Sequence, residues 1–297
     1  MPGSERSRPA PNVLARLRAA GLLPKKRFGQ HFLLDPRILA GLVSEARLGP
    51  GDRAFEVGTG PGVLTRFLAE RASEVFTVEV DARMLEFARA ELADLPNVRF
   101  LRADALARGG RWNPEVEAAL AAWGPFAWVS NLPYGIASTA IVALLESGLD
   151  WTRAVLTVQS EVADRLLARP GETSYGPLTL LVAFWASVRG GRRIRAGAFW
   201  PPPKVESRVV VLEPRPPPGT REEYARYREW VRKLFTRRRK QLAKLLRDAL
   251  GEAAAREIIA RSGWRRDARP ESLDVGDFLA LARAAKAQGP RLSGDGG

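Results

Sequence analysis

The stretch Glu56-Val57-Gly58-Thr59-Gly60-Pro61-Gly62 decides the fold. It follows an apolar run over residues 53–57, which predicts a buried strand, and it precedes an amphipathic pattern over 63–71, which predicts a helix. Glycines at a strand-to-helix turn let the backbone pass close to a ligand, and the N-terminus of the next helix offers unpaired N–H groups to an anion. The stretch therefore predicts a strand, a ligand-binding loop and a helix.

The spacing of the glycines indicates which ligand is bound. A dinucleotide-binding loop has the pattern G-x-G-x-x-G, but here the third glycine is Gly62, and Val63 stands where that pattern needs glycine. The pattern E-x-G-x-G-x-G, which starts at Glu56, is instead typical of loops that bind S-adenosylmethionine. This ligand has no pyrophosphate. We therefore expect Glu56 to bind the cofactor, with Gly58, Gly60 and Gly62 wrapped around its methionine part.

Strands and helices alternate through the centre of the chain. Further strands are predicted over residues 75–80, 98–102, 127–130 and 154–159, and further helices over 82–95 and 138–147. This alternation predicts an α/β protein with a doubly wound, Rossmann-like sheet of the class I S-adenosylmethionine-dependent methyltransferase type. A last strand over 206–212 is expected to pair antiparallel with the segment around 194–198.

Two acidic residues stand at predicted strand ends. Glu79 ends the second strand, 21 residues after Gly58, and Asp104 follows the third strand together with Ala105. Open α/β sheets bind ligands outside the carboxyl ends of their strands. In register with the glycine loop, Glu79 is therefore expected to accept hydrogen bonds from ribose hydroxyls and Asp104 from the adenine amine of the cofactor. Taken singly, either acid is more often a surface residue or a helix cap.

The fourth strand ends in Asn131-Leu132-Pro133-Tyr134, the most specific signal in the chain. An exocyclic adenine amine is a poor nucleophile because its lone pair is delocalised into the ring. The Asn131 side-chain oxygen and the Leu132 carbonyl can hold its N–H groups, while Pro133 fixes the backbone that presents this carbonyl. Tyr134 offers a ring on which the base can stack, worth about 1–3 kcal/mol. A simple β-turn is the structural alternative.

Composition excludes several kinds of chemistry. The chain has no cysteine and one histidine, which excludes disulfides, thiolate nucleophiles and clusters of histidine ligands, and no metal site is expected. No apolar run of about 18 residues is present, and the N-terminus lacks the apolar stretch of a signal peptide. A cytoplasmic protein without membrane contact is therefore expected.

The formal charge of +14 is unevenly distributed. Residues 1–50 carry a net charge of +6, residues 51–213 carry −1 and residues 214–297 carry +9. Basic ends around a near-neutral body are typical of proteins that bind a polyanion, although a solvated arginine-rich surface gives the same count. The segment EPRPPPGT at 213–220 is a break that neither a strand nor a helix can cross.

Four segments follow from these patterns. Helices are predicted beyond the proline-rich break over 221–235, 240–250, 252–261 and 275–285. We expect a flexible basic N-terminal extension (1–24), a catalytic S-adenosylmethionine-binding domain (25–213), a small all-helical domain that binds nucleic acid (214–287) and a disordered tail (288–297).

Several motifs in order resemble the ribosomal RNA adenine dimethyltransferase family, in its small-subunit branch. They are KRFGQHFLLD, FEVGTGPGVLT, EVD, RADAL, NLPYGIAS, VQSEVADRLLARPGETSYGPL, FWPPPKVESRVV and FTRRRKQLAKLL, and they run from about residue 25 to about 281. The resemblance implies that Gln30, His31 and Leu33 also lie around the cofactor. It further implies that the substrate is a pair of adjacent adenosines in the 3′-terminal hairpin of small-subunit (16S) RNA, each converted to N6,N6-dimethyladenosine, with a role in assembly of the 30S subunit.

Two further groups of residues are candidates for RNA contact. Phe199 is expected to clamp the target base opposite Tyr134, with Lys204 near a phosphate, although a stiff edge loop is an equal alternative. Arg237, Arg238, Arg239 and Lys240 lack acids nearby in sequence and predict a phosphate-binding ridge.

Three alternatives to this function stay open at the level of sequence. The chain could be a large-subunit ribosomal RNA adenine methyltransferase, a non-catalytic RNA-binding assembly factor, or a DNA adenine methyltransferase, because the motif cannot distinguish the sugar. The helical domain and FWPPPKVES favour the small-subunit branch, and intact Gly58, Glu79 and Asn131 favour an enzyme. A monomer is expected.

Overall fold

A computed structural model describes residues 12–25, 28–265 and 267–287. The strands in these ranges are β1 (Phe32–Leu33), β2 (Arg53–Val57), β3 (Glu74–Glu79), β4 (Val98–Arg102), β5 (Phe126–Asn131), β6 (Trp151–Gln159), β7 (Ala186–Ile194), β8 (Phe199–Trp200) and β9 (Ser207–Pro214). The helices are α1 (Val13–Ala19), α2 (Pro36–Ala46), α3 (Val63–Ala69), α4 (Ala82–Glu91), α5 (Pro114–Trp123), α6 (Ala137–Ser147), α7 (Ser160–Leu167), α8 (Pro177–Trp185), α9 (Arg221–Phe235), α10 (Leu242–Leu250), α11 (Glu252–Ser262) and α12 (Val275–Ala287). The predicted disordered tail 288–297 lies outside the described residues.

Seven strands form one sheet in the order β4-β3-β2-β5-β6-β9-β7, and β1 pairs separately with β8. The strands from β4 to β6 run parallel, and β9 pairs antiparallel with β6. This is the Rossmann-like α/β sheet that the alternating pattern predicts. The chain returns to the middle of the sheet between β4 and β5, so the carboxyl ends of β2 and β5 flank the topological switch point.

The prediction for the partner of the last strand was wrong. β9 lies between β6 and β7, and most of the predicted partner segment 194–198 is a 3-10 turn at Ala196–Ala198 rather than a strand. The strand β7 itself was missed. Its sequence, ASVRGGRRI, is rich in arginine and glycine, so it lacks the apolar alternation by which a strand is predicted.

Apolar cores lie on both faces of the sheet. On one face, α2 and α3 bury Leu39, Leu42 and Leu68 against the strands. The other core is aromatic: Phe55 contacts the rings of Phe76, Trp112, Phe126 and Trp128 at centroid distances of 5.7 to 6.2 Å. Each large apolar side chain buried in this way contributes about 1.5–3 kcal/mol.

The structure differs from the predicted flexible extension over residues 12–24. Helix α1 begins at the Asn12 cap, whose side chain accepts from the Ala15 N–H, and it buries Val13 and Leu17 against Phe32. Residues 13 and 17 lie on one face because they are four apart. The arginines between them conceal this short apolar face in the sequence. Residues 1–11 lie outside the described part.

The chain divides into two compact units. The first contains the described residues up to Ala163 together with Ser187–Pro214, and the second contains Asp164–Ala186 and the described residues from Arg215 onward. Residues 164–186, which the sequence assigns to the catalytic domain, thus group with the C-terminal unit. The reason is α8, whose Phe184 ring lies 4.9 and 5.1 Å from the rings of Tyr224 and Tyr227 on α9.

The C-terminal unit is helical, as the sequence predicts for its larger part. Helix α9 begins with a capping box in which Thr220 and Glu223 satisfy each other's backbone N–H groups. Phe278 on α12 packs against Tyr227 and Phe235 of α9. Among the helices of the described ranges, none is both long and apolar enough to cross a bilayer.

Candidate active site

An open cleft of about 630 Å³ lies at the switch point of the sheet. Loops at the carboxyl ends of β2, β3, β4 and β5 surround it, together with the segment before β1. Its walls are formed by Phe28, Gly29, Gln30, His31, Phe32, Val57, Gly58, Gly60, Val78, Glu79, Val80, Ala103, Asp104, Ala105, Asn131, Leu132, Pro133, Tyr134 and Ile136. The predicted cofactor and catalytic residues thus meet at one place, with the exceptions of Leu33, Glu56 and Gly62.

The glycine loop lines the bottom of this cleft. Gly60 has a φ of 53°, and a Cβ at this position would come within 3.1 Å of the Phe32 ring. A side chain would therefore be strained and would also disturb the wall of the cleft. Gly62 instead caps α3 with a φ of 80°, and a Cβ there would come within 2.8 Å of Leu92. Gly62 serves the packing of the helix rather than the wall of the cleft.

Glu79 is held in position by two backbone donors. Its Oε2 accepts from the Gly60 N–H at 3.0 Å, and its Oε1 accepts from the Asp81 N–H at 2.9 Å. Burial raises the pKa of this carboxyl group, and the two backbone hydrogen bonds oppose that rise. A carboxylate has about four acceptor sites, so acceptor positions remain for two hydroxyl groups of a ligand.

Glu56 does not face the cleft, which corrects its assignment as a cofactor-binding residue. Its side chain is 1% exposed, and Oε2 accepts from the hydroxyls of Thr65 at 2.6 Å and Thr77 at 2.7 Å. Because the Thr77 hydroxyl also lies 2.7 Å from the Thr59 hydroxyl, Glu56 joins β2, β3 and α3 beneath the loop. Burial raises the pKa of Glu56 to about 8. The side chain therefore carries a proton at neutral pH and supports the loop from below.

The amide of Asn131 has one end fixed and the other free. Its Nδ2 donates to the His31 carbonyl at 2.9 Å. Its Oδ1 is buried and has no hydrogen-bond partner in the described structure. A buried acceptor without a partner is costly, so it marks a position that a ligand donor completes. Since Asn131 lines the cleft, its free acceptor is available to a donor on a molecule bound there.

His31 and Tyr134 form a stacked pair beside Asn131. Their rings are 5.3 Å apart at an angle of 24°. The His31 Nδ1 lies 2.7 Å from the Pro201 carbonyl, which can only accept, so Nδ1 carries the ring proton. The Tyr134 hydroxyl lies 2.7 Å from the hydroxyl of Ser207, and burial raises the pKa of the tyrosine. These contacts fix the face that Tyr134 presents.

Two more polar groups border the cleft. The Gln30 Oε1 accepts from the Lys25 N–H at 2.9 Å, which leaves Nε2 buried without a partner in the part of the chain that the structure describes. Asp104 is exposed and accepts from the Leu106 N–H through Oδ1. Gln30 therefore offers a donor and Asp104 an acceptor to a ligand.

The residues present fit S-adenosylmethionine. The cleft combines the glycine cradle with a buried donor at Gln30, a buried acceptor at Asn131 and carboxylates at Glu79 and Asp104. Val80 is 38% exposed on the wall, an unusual exposure for a large apolar side chain, and it offers an apolar surface for an adenine ring.

Sequence reasoning missed several residues of the wall. Val80 could have been predicted from the sequence. It directly follows Glu79 at the end of a strand, where an apolar side chain has no core to pack into. Phe28 and Ile136 gave no signal of this kind.

Three other predicted site residues lie away from the cleft. Leu33 is buried in the core between α2 and the sheet. Phe199 is 4% exposed in the same core, so it cannot clamp a base without leaving that core, and the prediction of this role was wrong. The sequence alone could not show whether Phe199 or its neighbour Trp200 lies nearer the cleft. The Trp200 ring lies 6.3 Å from the ring of Phe32, which lines the wall. Lys204 is exposed outside the cleft.

The predicted ridge on the C-terminal unit is less free than its sequence suggests. Arg237 pairs with Asp248 at 2.9 Å, and Arg238 pairs with Glu271 at 3.4 Å. Acids are lacking nearby in sequence, but folding brings Asp248 and Glu271 from other segments. Among the described residues, Arg239 and Lys240 are exposed and have no ion-pair partner.

Comparisons with known proteins identify the family. The family described as "Ribosomal RNA adenine dimethylase" matches residues 22–286. The "Ribosomal RNA small subunit methyltransferase A" of Phenylobacterium zucineum is 40% identical over 277 residues, which cover 92% of this chain and 92% of that protein. The protein of the same name from Caulobacter vibrioides is 39% identical, with 88% of this chain and 97% of that one covered.

A solved structure extends the likeness to the fold. The crystal structure of 23S rRNA methyltransferase ErmE superposes with a TM-score of 0.66 at 26% identity, and the match covers 86% of this chain and 99% of that one. The match of the family over almost the whole chain, together with the relatives at about 40% identity, decides the assignment. The chain belongs to the ribosomal RNA adenine dimethylase family of S-adenosylmethionine-dependent methyltransferases.

Proposed function

We propose that the protein dimethylates the N6 amines of two adjacent adenosines in the 3′-terminal hairpin of small-subunit ribosomal RNA. The observation that carries this proposal is the unpartnered Asn131 Oδ1 in the wall of the cleft, next to the glycine loop. The names of the relatives, which refer to the small ribosomal subunit, support the choice of RNA. The partner in the cell is then the assembling 30S subunit, met in the cytoplasm by a monomeric enzyme.

The chain's own residues prepare the amine for attack. Asn131 Oδ1 accepts one N–H of the adenine amine, and the Leu132 carbonyl accepts the other, so that the nitrogen becomes pyramidal and its lone pair is directed to one side. S-adenosylmethionine, when bound, supplies an electrophilic methyl group. Because His31 fixes Nδ2 of the amide, Asn131 needs no rotation to present its acceptor. This is the kind of preorganisation that lowers a barrier.

Each methylation changes what Asn131 and Leu132 can hold. Before the first methylation the adenine amine has two N–H groups, one for each acceptor. Before the second methylation it has only one N–H group. The base must therefore be held mainly by stacking on Tyr134 in the second round. A free proton is released in each round, and the methylated nitrogen is acidic enough to lose it to water, so no histidine base is needed.

The test uses small subunits from a strain that lacks the gene. Purified protein and labelled S-adenosylmethionine are added to these subunits, and the modified nucleosides are identified by mass spectrometry and primer extension. Two dimethyladenosines at adjacent positions of the 3′-terminal hairpin are expected. Methylation of large-subunit RNA instead, or monomethylation alone, would overturn the proposal. Sedimentation of the protein with and without subunits tests the monomer and the partner.

A further inference from the structure

Three exposed arginines stand at the end of β7 without an ion-pair partner. Arg192, Arg193 and Arg195 are all exposed, and within the described ranges none of them forms a salt bridge. By contrast, Arg189 earlier on the same strand pairs with Glu45. We call Arg192, Arg193 and Arg195 the arginine edge, because β7 is the terminal strand of the sheet.

The sequence around the arginine edge contains no acid that could neutralise it locally. No aspartate or glutamate occurs between Glu172 and Glu206, a segment with five basic residues. The first unit as a whole is close to neutral, since residues 51–213 carry a net charge of −1. The arginine edge is therefore a local concentration of positive charge on a near-neutral body.

The pairing of β7 with β9 brings a further arginine to this surface. Ser187 Oγ donates to the Glu213 carbonyl, and a Cβ on Gly191 would lie 3.1 Å from that of Val209. Since β7 and β9 are neighbours in the sheet, contacts at 187/213 and 191/209 indicate an antiparallel register in which position 192 lies opposite position 208, which is also arginine. Arg208 donates from Nε to the Gly191 carbonyl at 3.4 Å. Like charges opposite each other on a sheet are destabilising, and a bound anion would remove that cost.

The arginine edge is connected to the cleft by a short piece of chain. From Arg195 the backbone runs through β8 to Pro201, whose carbonyl contacts His31 in the wall of the cleft. Six residues of extended chain span at most ~20 Å. A polyanion whose target base lies in the cleft can therefore extend as far as Arg195.

We propose that the arginine edge binds the phosphate backbone of the RNA whose adenosine enters the cleft. The proposal rests on the proposed function, in that RNA is the substrate, and it adds a docking surface on the first unit. Arginine suits such a surface because its guanidinium group can make two hydrogen bonds to one phosphate. The exposed N–H groups of a terminal strand can contribute further contacts of the same kind.

Charged residues on a terminal strand can also serve a different role. Such residues prevent the strand from pairing with a second molecule. This role predicts self-association when the charges are removed, but no change in RNA affinity. RNA docking predicts the reverse, so one set of variants separates the two roles.

The test compares three variants of the full-length protein. The first changes Arg192, Arg193 and Arg195 to glutamine, and the second changes the same residues to lysine. The control changes Arg71, Arg89 and Arg99 to glutamine. These exposed arginines follow α3 and lie on α4 and β4, at the other end of the strand order, so the control removes the same charge from the same unit. Binding to undermethylated small subunits is measured over a range of salt concentrations, together with cofactor affinity and sedimentation.

We expect the glutamine variant to lose at least about tenfold in affinity at low salt. The slope of log affinity against log salt should fall by about two, because each phosphate contact contributes about 0.7–0.9. The lysine variant should keep most of the slope, and the control should match the wild type. Cofactor affinity should not change in any variant.

Two results would overturn the inference. One is an equal slope in the glutamine variant and the control, and the other is self-association of the glutamine variant with unchanged RNA affinity. Failure of the proposed function has a different appearance: the wild-type protein itself would then bind or methylate small subunits no better than unrelated RNA.

Discussion

The carbonyl oxygen of His31 accepts a hydrogen bond from the side-chain nitrogen of Asn131 at 2.9 Å, although the two residues are 100 positions apart. This contact determines which end of the amide can face a substrate. The segment before β1 thus does more than line the cleft, because its backbone orients the Asn131 amide so that Oδ1 stays free. A hydrogen bond to a main-chain carbonyl has the further advantage that no substitution at residue 31 removes the acceptor.

We predict that Asn131→Ala lowers methyl transfer by at least about 100-fold, the usual loss when one preorganised hydrogen-bonding group is removed. The affinity for S-adenosylmethionine should stay within about threefold, because the amide serves the target amine in the transition state. Single-turnover transfer and calorimetry measure the two quantities. Asn97→Ala is the control, since Asn97 donates to the carbonyls of Ala69 and Ala72 outside the cleft. Turnover within about tenfold of wild type, or about 1.4 kcal/mol, would remove Asn131 from its role.

Glu79→Gln should weaken cofactor binding by about 1–3 kcal/mol, because charge-assisted hydrogen bonds to the ligand are lost. Glutamine is no neutral replacement here. Both carboxylate oxygens accept from backbone N–H groups, of Gly60 and Asp81, so the amide nitrogen of a glutamine would face a donor. Calorimetry measures the affinity, with Glu86→Gln on the exposed side of α4 as the control. Equal affinities in the two variants would exclude Glu79 from the ribose site.

The buried Glu56 should make the thermal stability of the protein depend on pH. Its pKa is raised from 4.5 to about 8 by burial, so the folded protein keeps a proton that the unfolded chain releases. The resulting stabilisation is complete below the unfolded pKa and is lost as the pH rises through about 8. The thermal midpoint of the first unit should therefore decrease as the pH is raised from 5 to 8.5.

Glu56→Gln tests this origin of the pH dependence. Glutamine resembles the protonated acid and does not titrate, so its variant should lose most of the change in thermal midpoint over the same pH range. Each unit of pKa difference is worth about 1.4 kcal/mol, which is enough to move a midpoint by several degrees. Glu146→Gln on α6 is the matched control. An unchanged pH profile in Glu56→Gln would show that other groups cause it.

The four basic residues of the predicted ridge, Arg237 to Lys240, should not contribute equally to RNA binding. A phosphate that contacts Arg237 or Arg238 must first displace Asp248 or Glu271, although a surface ion pair costs only about 0.2–1 kcal/mol to break. Neutralising Arg239 together with Lys240 should therefore lower the salt slope of RNA binding by about 1.4–1.8, and more than neutralising the other two residues. Salt-dependent binding of both double variants measures the difference. Equal slopes would show that the ion pairs yield freely to RNA.

Much of the fold could be predicted where local patterns are strong. The strands β2 and β4 and the helix α9 have the predicted bounds, 53–57, 98–102 and 221–235, because apolar periodicity and clear end signals coincide there. The alignment of Gly58, Glu79 and Asn131 also followed from sequence, since parallel strands end at the same edge of a sheet. These predictions rest on short-range regularities.

The remaining features depend on distant contacts. The direction of the Glu56 side chain is set by Thr65 and Thr77, and the burial of Phe199 is set by its position against α2, so neither was visible in the motif alone. The pairing of Arg238 with Glu271 joins residues 33 positions apart. A local search for acids could not have found that partner.

The ring of Tyr134, rather than its hydroxyl, should matter for catalysis. His31 covers one face of the ring, so a base can stack only on the other. Tyr134→Ala should lower kcat/KM for RNA by about 1–3 kcal/mol, the usual contribution of one stacked base. Tyr134→Phe keeps the ring and should stay within about threefold of wild type, although it leaves the buried Ser207 hydroxyl without its partner and so lowers the thermal midpoint. Steady-state kinetics with saturating cofactor, together with thermal unfolding, separate the two effects. A loss in Tyr134→Phe as large as that in Tyr134→Ala would assign the role to the hydroxyl and its contact with Ser207.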